Sequence, residues 1–199
     1  MTTGARPERR PALLLAAITL FAASAVDAAD WGVKELMQEL AQVRSTRARF
    51  VERKDIAILS APLESSGTLL YTAPDKLEKH TLAPRAESLI LDRDRLTLES
   101  KARNQRRTFA LRDHPEIGAF VESIRSTLAG DLATLSRYYQ VALDGSQGRW
   151  RLTLKPTEPA MQRVVSEIHF EGAGNSIGSI EITETNGDRS VMTITRENP

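Results

Sequence analysis

"SGTLLYTAPDKLEK", Ser66 to Lys79, is the stretch that decides the fold. Thr68, Leu69, Leu70 and Tyr71 suit a pleated strand. Ala73-Pro74-Asp75 makes a turn, and Leu77 resumes an extended run. The stretch reads as a β-hairpin, and the question is what its apolar side faces. Outward from it the pattern recurs. Eleven strand-like stretches, from "RARFVERKDIAIL" to "RSVMTITR", are separated by clusters of Pro, Gly, Asn and Asp. Trp150, Leu152 and Leu154 alternate with Arg149, Arg151 and Thr153. Ile180 and Ile182 alternate with Ser179 and Glu181. Such alternation belongs to an antiparallel sheet with one wet face. Hairpin-length loops favour a single meandering sheet.

Two regions break the strand pattern. "DWGVKELMQELAQVRSTRA" reads as a first helix, capped by Asp30, with an apolar stripe at Val33, Leu36, Met37, Leu40 and Val43. "HPEIGAFVESIRSTLAGDLATLSRYY" reads as a helix starting at Pro115, with a stripe at Ile117, Phe120, Val121, Ile124 and Leu128. Gly130 breaks it, and Asp131 caps a short second helix carrying Leu132 and Leu135.

The N-terminus has the form of an export signal. Arg6, Arg9 and Arg10 precede the apolar run "ALLLAAITLFAASAV", Ala12 to Val26. That run is shorter than the ~20 residues of a membrane span. "VDA" places small residues for cleavage after Ala28. The expected organisation is a signal peptide over residues 1–28 and one domain over 29–199. Formal net charge is +1 for the whole chain, which leaves no electrostatic footprint for nucleic acid. The chain has no cysteine, which excludes a disulfide framework, a thiol nucleophile and a cysteine-based metal site.

Motifs that carry chemistry are few. "GNSIG", Gly174 to Gly178, matches the nucleophile-elbow pattern. That device needs a helix after the serine and a later histidine. Here a strand follows Ser176, and the last histidine is His169, so a hairpin turn explains the motif better. His80, His114 and His169 are widely spaced and lack metal-ligand spacing. Asp92 and Asp94, flanked by Arg93 and Arg95, read as a charged hairpin turn. "KARNQRR", Lys101 to Arg107, reads as a solvated basic loop, with contact to an anionic headgroup or acidic partner as the functional alternative.

The order of these elements resembles the periplasmic outer-membrane lipoprotein carrier (LolA) family over essentially the whole chain after the leader. The matching pieces are Phe50, Gly67, Leu69, Pro74, Leu77 and Asp92. The resemblance implies a mainly β fold: an incomplete, half-open antiparallel β-barrel of about eleven strands, with an N-terminal helix and mid-chain lid helices. It implies a periplasmic, monomeric, non-enzymatic carrier without cofactor. Its concave face would hold acyl chains of a lipoprotein or other lipid cargo, received from an inner-membrane donor transporter and passed to an outer-membrane receptor. Together with the strand alternation, it puts Phe50, Leu69, Tyr71, Leu77, Leu89, Leu91, Trp150, Leu152, Phe170 and Ile182 around the cavity. The lid would be Ile117, Phe120, Val121, Ile124 and Leu128.

The sequence departs from the family pattern in three ways. Ala73 stands where family carriers place an Arg before the turn Pro, an Arg implied to hold the lid closed. "DRDR" replaces an Asp-Gly turn. Aromatic residues make up only 5 % of the chain, where family cavities are rich in Trp and Phe. A divergent branch is implied, with the cargo open between a lipoprotein, a glycolipid and another acylated product. The competing reading is a lipid- or lipoprotein-sensing regulatory module on the same fold.

Overall fold

The structure, a computed structural model, describes residues 1–2 and 31–197. The expected leader and Asp30 lie outside the described residues. The chain opens with α1 (Val33–Leu40) and then runs through β1 (Ser45–Asp55), β2 (Leu63–Thr72), β3 (Lys76–Ala83), β4 (Glu87–Asp92), β5 (Arg95–Ser100) and β6 (Gln105–Ala110). Helices α2 (Pro115–Ala129) and α3 (Leu132–Tyr138) follow. The second meander is β7 (Tyr139–Ser146), β8 (Arg149–Pro156), β9 (Val165–Ala173), β10 (Ser176–Glu184) and β11 (Arg189–Arg196). A short helix, α4 (Pro159–Gln162), sits between β8 and β9. The sequence reading did not anticipate it.

All eleven strands join one antiparallel sheet in the order β6-β5-β4-β3-β2-β1-β11-β10-β9-β8-β7. Two meanders meet where β1 pairs with β11, Phe50 opposite Ile194. The sheet does not close: β6 and β7 are its edges. The two edges are consecutive strands, so the chain between them must cross from one end of the sheet to the other. That chain is α2 and α3. Topology therefore puts these helices across the concave side of an incomplete barrel.

The helix ends follow local chemistry. The Gly32 N–H donates to Glu35 Oε2 at 3.0 Å, so Gly32 and Glu35 start α1. The first helix is also shorter than its sequence pattern predicts. Ser45 already pairs with Thr72, so sheet pairing claims "STRA" from the helix. Pro115 is the first residue of α2, and Gly130 ends it at φ 68°. Asp131 Oδ1 accepts the Thr134 N–H at 3.0 Å and caps α3. Strand β1 ends before "IAIL", because the Asp188 carboxylate takes the Ala57 N–H at 2.9 Å in place of a strand partner.

The core is concentrated on one half of the sheet. Leu152, Leu154, Ile168 and Phe170 of β8 and β9 are fully buried against Leu36, Met37 and Leu40 of α1 and Leu135 of α3. A smaller cluster sits on the other half, where Leu91 and Leu96 pack with Val121 of α2.

Candidate functional site

Period-2 alternation and the cross-strand register define the concave face. Thr46, Ala48, Phe50 and Glu52 of β1 stand opposite Tyr71, Leu69, Gly67 and Ser65 of β2. Leu69 and Tyr71 in turn face Lys79 and Leu77 of β3. Between this half of the face and α2 lies a cavity of about 270 Å³. Its floor includes Leu69, Tyr71, Leu77, Leu89 and Leu91, and Ile180, Ile182 and Ile194 close one side. Its roof is Phe120, Val121, Ile124 and Leu128 of α2, with Leu40 and Val43 from the first helical region.

The expected cavity residues divide between two environments. Leu69, Tyr71, Leu77, Leu89, Leu91 and Ile182 line the cavity. Trp150, Leu152 and Phe170 do not. They are 2 %, 0 % and 0 % exposed, inside the filled core. α1 and α3 pack onto that half of the sheet and leave no space, a difference that alternation cannot register. Phe50 is buried in the sheet floor, with its ring under Lys79. Of the helix stripe, Phe120, Val121, Ile124 and Leu128 reach the cavity, whereas Ile117 packs into the smaller apolar cluster beside Leu91.

The other side of α2 is small and polar. Ser123 and Thr127 are fully buried. Ser123 Oγ donates to the Phe120 carbonyl at 2.6 Å, and Thr127 Oγ1 to the Ser123 carbonyl at 2.7 Å. Back-bonding satisfies these hydroxyls inside the helix, so α2 packs on α1 and α3 without stranding a polar group. Tyr139 Oη donates to the Ala119 carbonyl at 3.2 Å and ties α2 to the start of β7; burial pushes this phenol's pKa up.

Position 73 makes no hydrogen bond to α2 among the described residues. Its N–H donates to the Arg44 carbonyl at 2.8 Å, and it does not line the cavity. Nor do the nearby lysines reach α2: Lys76 pairs with Glu78, and Lys79 with Glu52.

The sequence reading missed a charged pair in the cavity wall. Glu52 and Lys79 form an ion pair at 2.5 Å. Glu52 also accepts from Ser190 Oγ at 2.9 Å and Ser65 Oγ at 3.2 Å. Burial opposes ionisation of Glu52, but the bonds from Lys79, Ser190 and Ser65 outweigh it and hold its carboxyl below the usual carboxylate range. The Lys79 ammonium sits 4.9 Å from the Phe50 ring centroid. The available signal was two charged residues at concave-facing positions of otherwise apolar rows. Tyr71 Oη, at the lid end, is buried with no hydrogen-bond partner among the described residues.

The remaining sequence motifs resolve as structure. Gly174, at φ 51°, turns the β9–β10 hairpin, and Ser176 is the first residue of β10, so no nucleophile elbow forms. Arg93, at φ 56°, turns "DRDR". His80 bonds Ser88 and Glu78, His169 contacts Thr153 and Glu167, and His114 stacks edge-on against Phe109. Among the described residues no group of His, Asp and Glu is placed to hold a metal. No helix among them is long and apolar enough to cross a membrane.

Residues 21–195 match the model of the family described as "Outer membrane lipoprotein carrier protein LolA-like". No curated protein matches the sequence. Among solved structures, the LolA superfamily protein NE2245 from Nitrosomonas europaea aligns with a TM-score of 0.45 and 10% identity, over 84% of this chain and 95% of that one. The Pseudomonas aeruginosa MucA/MucB complex aligns with a TM-score of 0.44 and 11% identity, over 83% of this chain and 56% of that one. With the family match covering nearly the whole sequence, the chain belongs to the LolA-like outer membrane lipoprotein carrier family.

Proposed function

We propose that the protein is a periplasmic, non-enzymatic carrier that takes an acyl chain into the cavity under α2 and moves it toward the outer membrane. The observation behind this reading is the cavity itself: about 270 Å³ of space walled mainly by Leu, Ile, Val and Phe side chains, with α2 as its roof. Each CH₂ taken from water into such a wall is worth about 0.8 kcal/mol. Part of that gain is lost to ordering the ligand, which leaves affinity in a range suited to carrying and release. In this reading α2 is the lid, held by apolar contact. An inner-membrane donor and an outer-membrane receptor supply and accept the cargo, and the carrier works as a monomer.

The test is extraction and mass spectrometry of lipid from protein purified out of the periplasm, paired with uptake of a fluorescent fatty acid in vitro. A co-purifying acylated molecule and saturable uptake support the carrier. Purified protein that holds no lipid and takes up none would defeat it.

A further inference from the structure

The cross-strand register sorts the outer half of the concave face into three rows. Tyr71, Leu77, Leu91, Leu96 and Phe109 stand in line across β2 to β6. This apolar row lies toward α2, which packs on Leu91 and Leu96. The next row, two residues along each strand, is Lys79, Leu89, Leu98 and Arg107. It has an apolar centre and a cation at each end. The third row is polar throughout: Thr81, Glu87, Ser100 and Gln105. Polarity therefore rises in steps from the roof helix to the rim of the sheet. Over the second and third rows lies a separate groove of about 410 Å³. Lys79 and Leu89 line both this groove and the apolar cavity, so the two adjoin.

The charges along the groove are unevenly matched. Glu99 is paired with Arg106 at 3.0 Å, and the Ser100 hydroxyl reaches Glu87 at 3.5 Å. Arg103 and Arg107 line the groove, and their side chains make no hydrogen bond or ion pair among the described residues. Leu98, on the row between the two cations, is left 40% exposed. An apolar pocket opening onto a cationic, partly apolar strip is complementary to an amphiphile with a negative head. The cavity's 270 Å³ lies just below the ~300–1,000 Å³ range of small-ligand sites. That is room for one chain and not for several.

We infer that the cargo is a single-chain acyl amphiphile with an anionic head, its chain in the cavity under α2 and its phosphate or carboxylate on the Lys79–Arg107 row. This rests on the carrier reading and adds to it the class of the ligand. Lys79 contributes the donors that its bond to Glu52 leaves over, and Arg107 offers a planar fork suited to either oxyanion.

The test is displacement of the neutral probe N-phenyl-1-naphthylamine by dodecyl phosphate, dodecanoate and dodecyl maltoside below their micelle concentrations, with stoichiometry from native mass spectrometry. The anionic compounds should bind about tenfold tighter than the maltoside, the size expected of one charged hydrogen bond. They should bind one per protein. Phosphate against carboxylate separates the two head chemistries. Arg107→Gln should remove most of the anionic preference, and Arg107→Lys should restore part of it. Arg107 is exposed on the edge strand, so these variants keep the fold. Equal affinity for all three heads overturns the head site and leaves the carrier reading standing. So does loss of the preference in Arg196→Gln, at the other cation that lines the apolar cavity, instead of in Arg107→Gln. Two or more chains per protein overturns the single-chain class. Inorganic phosphate binding as tightly as dodecyl phosphate, measured by calorimetry, would mean that head and chain sites are not coupled. Failure of every dodecyl compound to displace the probe overturns the carrier reading and this inference together.

Discussion

The Phe50 ring covers Gly67 on the neighbouring strand: a Cβ at Gly67 would lie 3.0 Å from the ring edge and 1.9 Å from the His80 carbonyl oxygen. The other half of the sheet repeats the arrangement. Trp150 lies opposite Gly172, where a Cβ would come within 2.4 Å of the indole. Each glycine admits a large ring flat against the backbone, and each ring covers the surface its glycine leaves bare. Of the pieces that resemble the carrier family, Phe50 and Gly67 thus act as one unit.

Gly67→Ala should therefore be costly, by about 2–3 kcal/mol, since neither the carbonyl nor the packed ring has room to retreat. Gly148→Ala, with nothing within 4 Å of its Cβ, should change stability by less than about 0.5 kcal/mol. Urea unfolding of both variants measures the contrast. Equal small losses would mean that the β2–β3 pair relaxes around the methyl.

The two halves of the concave face predict opposite responses to the same change. Leu69→Glu puts a carboxylate at the cavity wall, where it reaches open space and Lys79 on the paired strand. It should fold, with a loss below about 2 kcal/mol, and fail to take up fluorescent fatty acid. Leu152→Glu buries the same charge at a site 0% exposed and should abolish folding, with a loss above about 4 kcal/mol. Circular dichroism and uptake, measured on both variants, separate the two. Unfolding of Leu69→Glu would mean that the cavity is as sealed as the core.

Glu52 gives the stability a pH signature. Its folded-state pKa lies below its unfolded value, so the unfolded chain binds the proton more readily. The stabilisation is present above the unfolded carboxylate pKa and is lost as pH falls through the lower folded value. The stability difference between wild type and Glu52→Gln should hold at neutral pH and shrink as pH falls below the ordinary carboxylate value of 4.5. Chemical denaturation at several pH values checks this. A constant difference would remove the Lys79, Ser190 and Ser65 bonds as its cause.

Tyr71 carries a buried hydroxyl with no partner among the described residues. A stranded hydroxyl costs about 1–3 kcal/mol. Tyr71→Phe keeps the ring and removes that cost, so the melting temperature should rise by a few degrees. A fall instead would show that the hydroxyl is hydrogen-bonded in solution.

Strand number, single-sheet meander and mid-chain helices were all legible in the sequence. Alternation of period 2 fixes which side chains share a face, and turn residues fix where strands end. Pro115, Gly130 and Asp131 marked their helix ends for the same local reason. The export signal and cargo class are sequence or family readings of a different kind, since they concern other molecules and not this fold.

Tertiary structure alone decided which half of the apolar face is filled and which is hollow. Leu69 and Leu152 have the same side chain, the same alternation and the same face. One lines a cavity and the other sits in a sealed core, because α1 and α3 pack onto β8 and β9 while α2 crosses in front of β2 to β4. The pairing of Glu52 with Lys79 is likewise invisible along the chain. The two are 27 residues apart and meet only because β1, β2 and β3 are in register. Periodicity records the direction a side chain points, and it carries no information about what lies at the end of that direction.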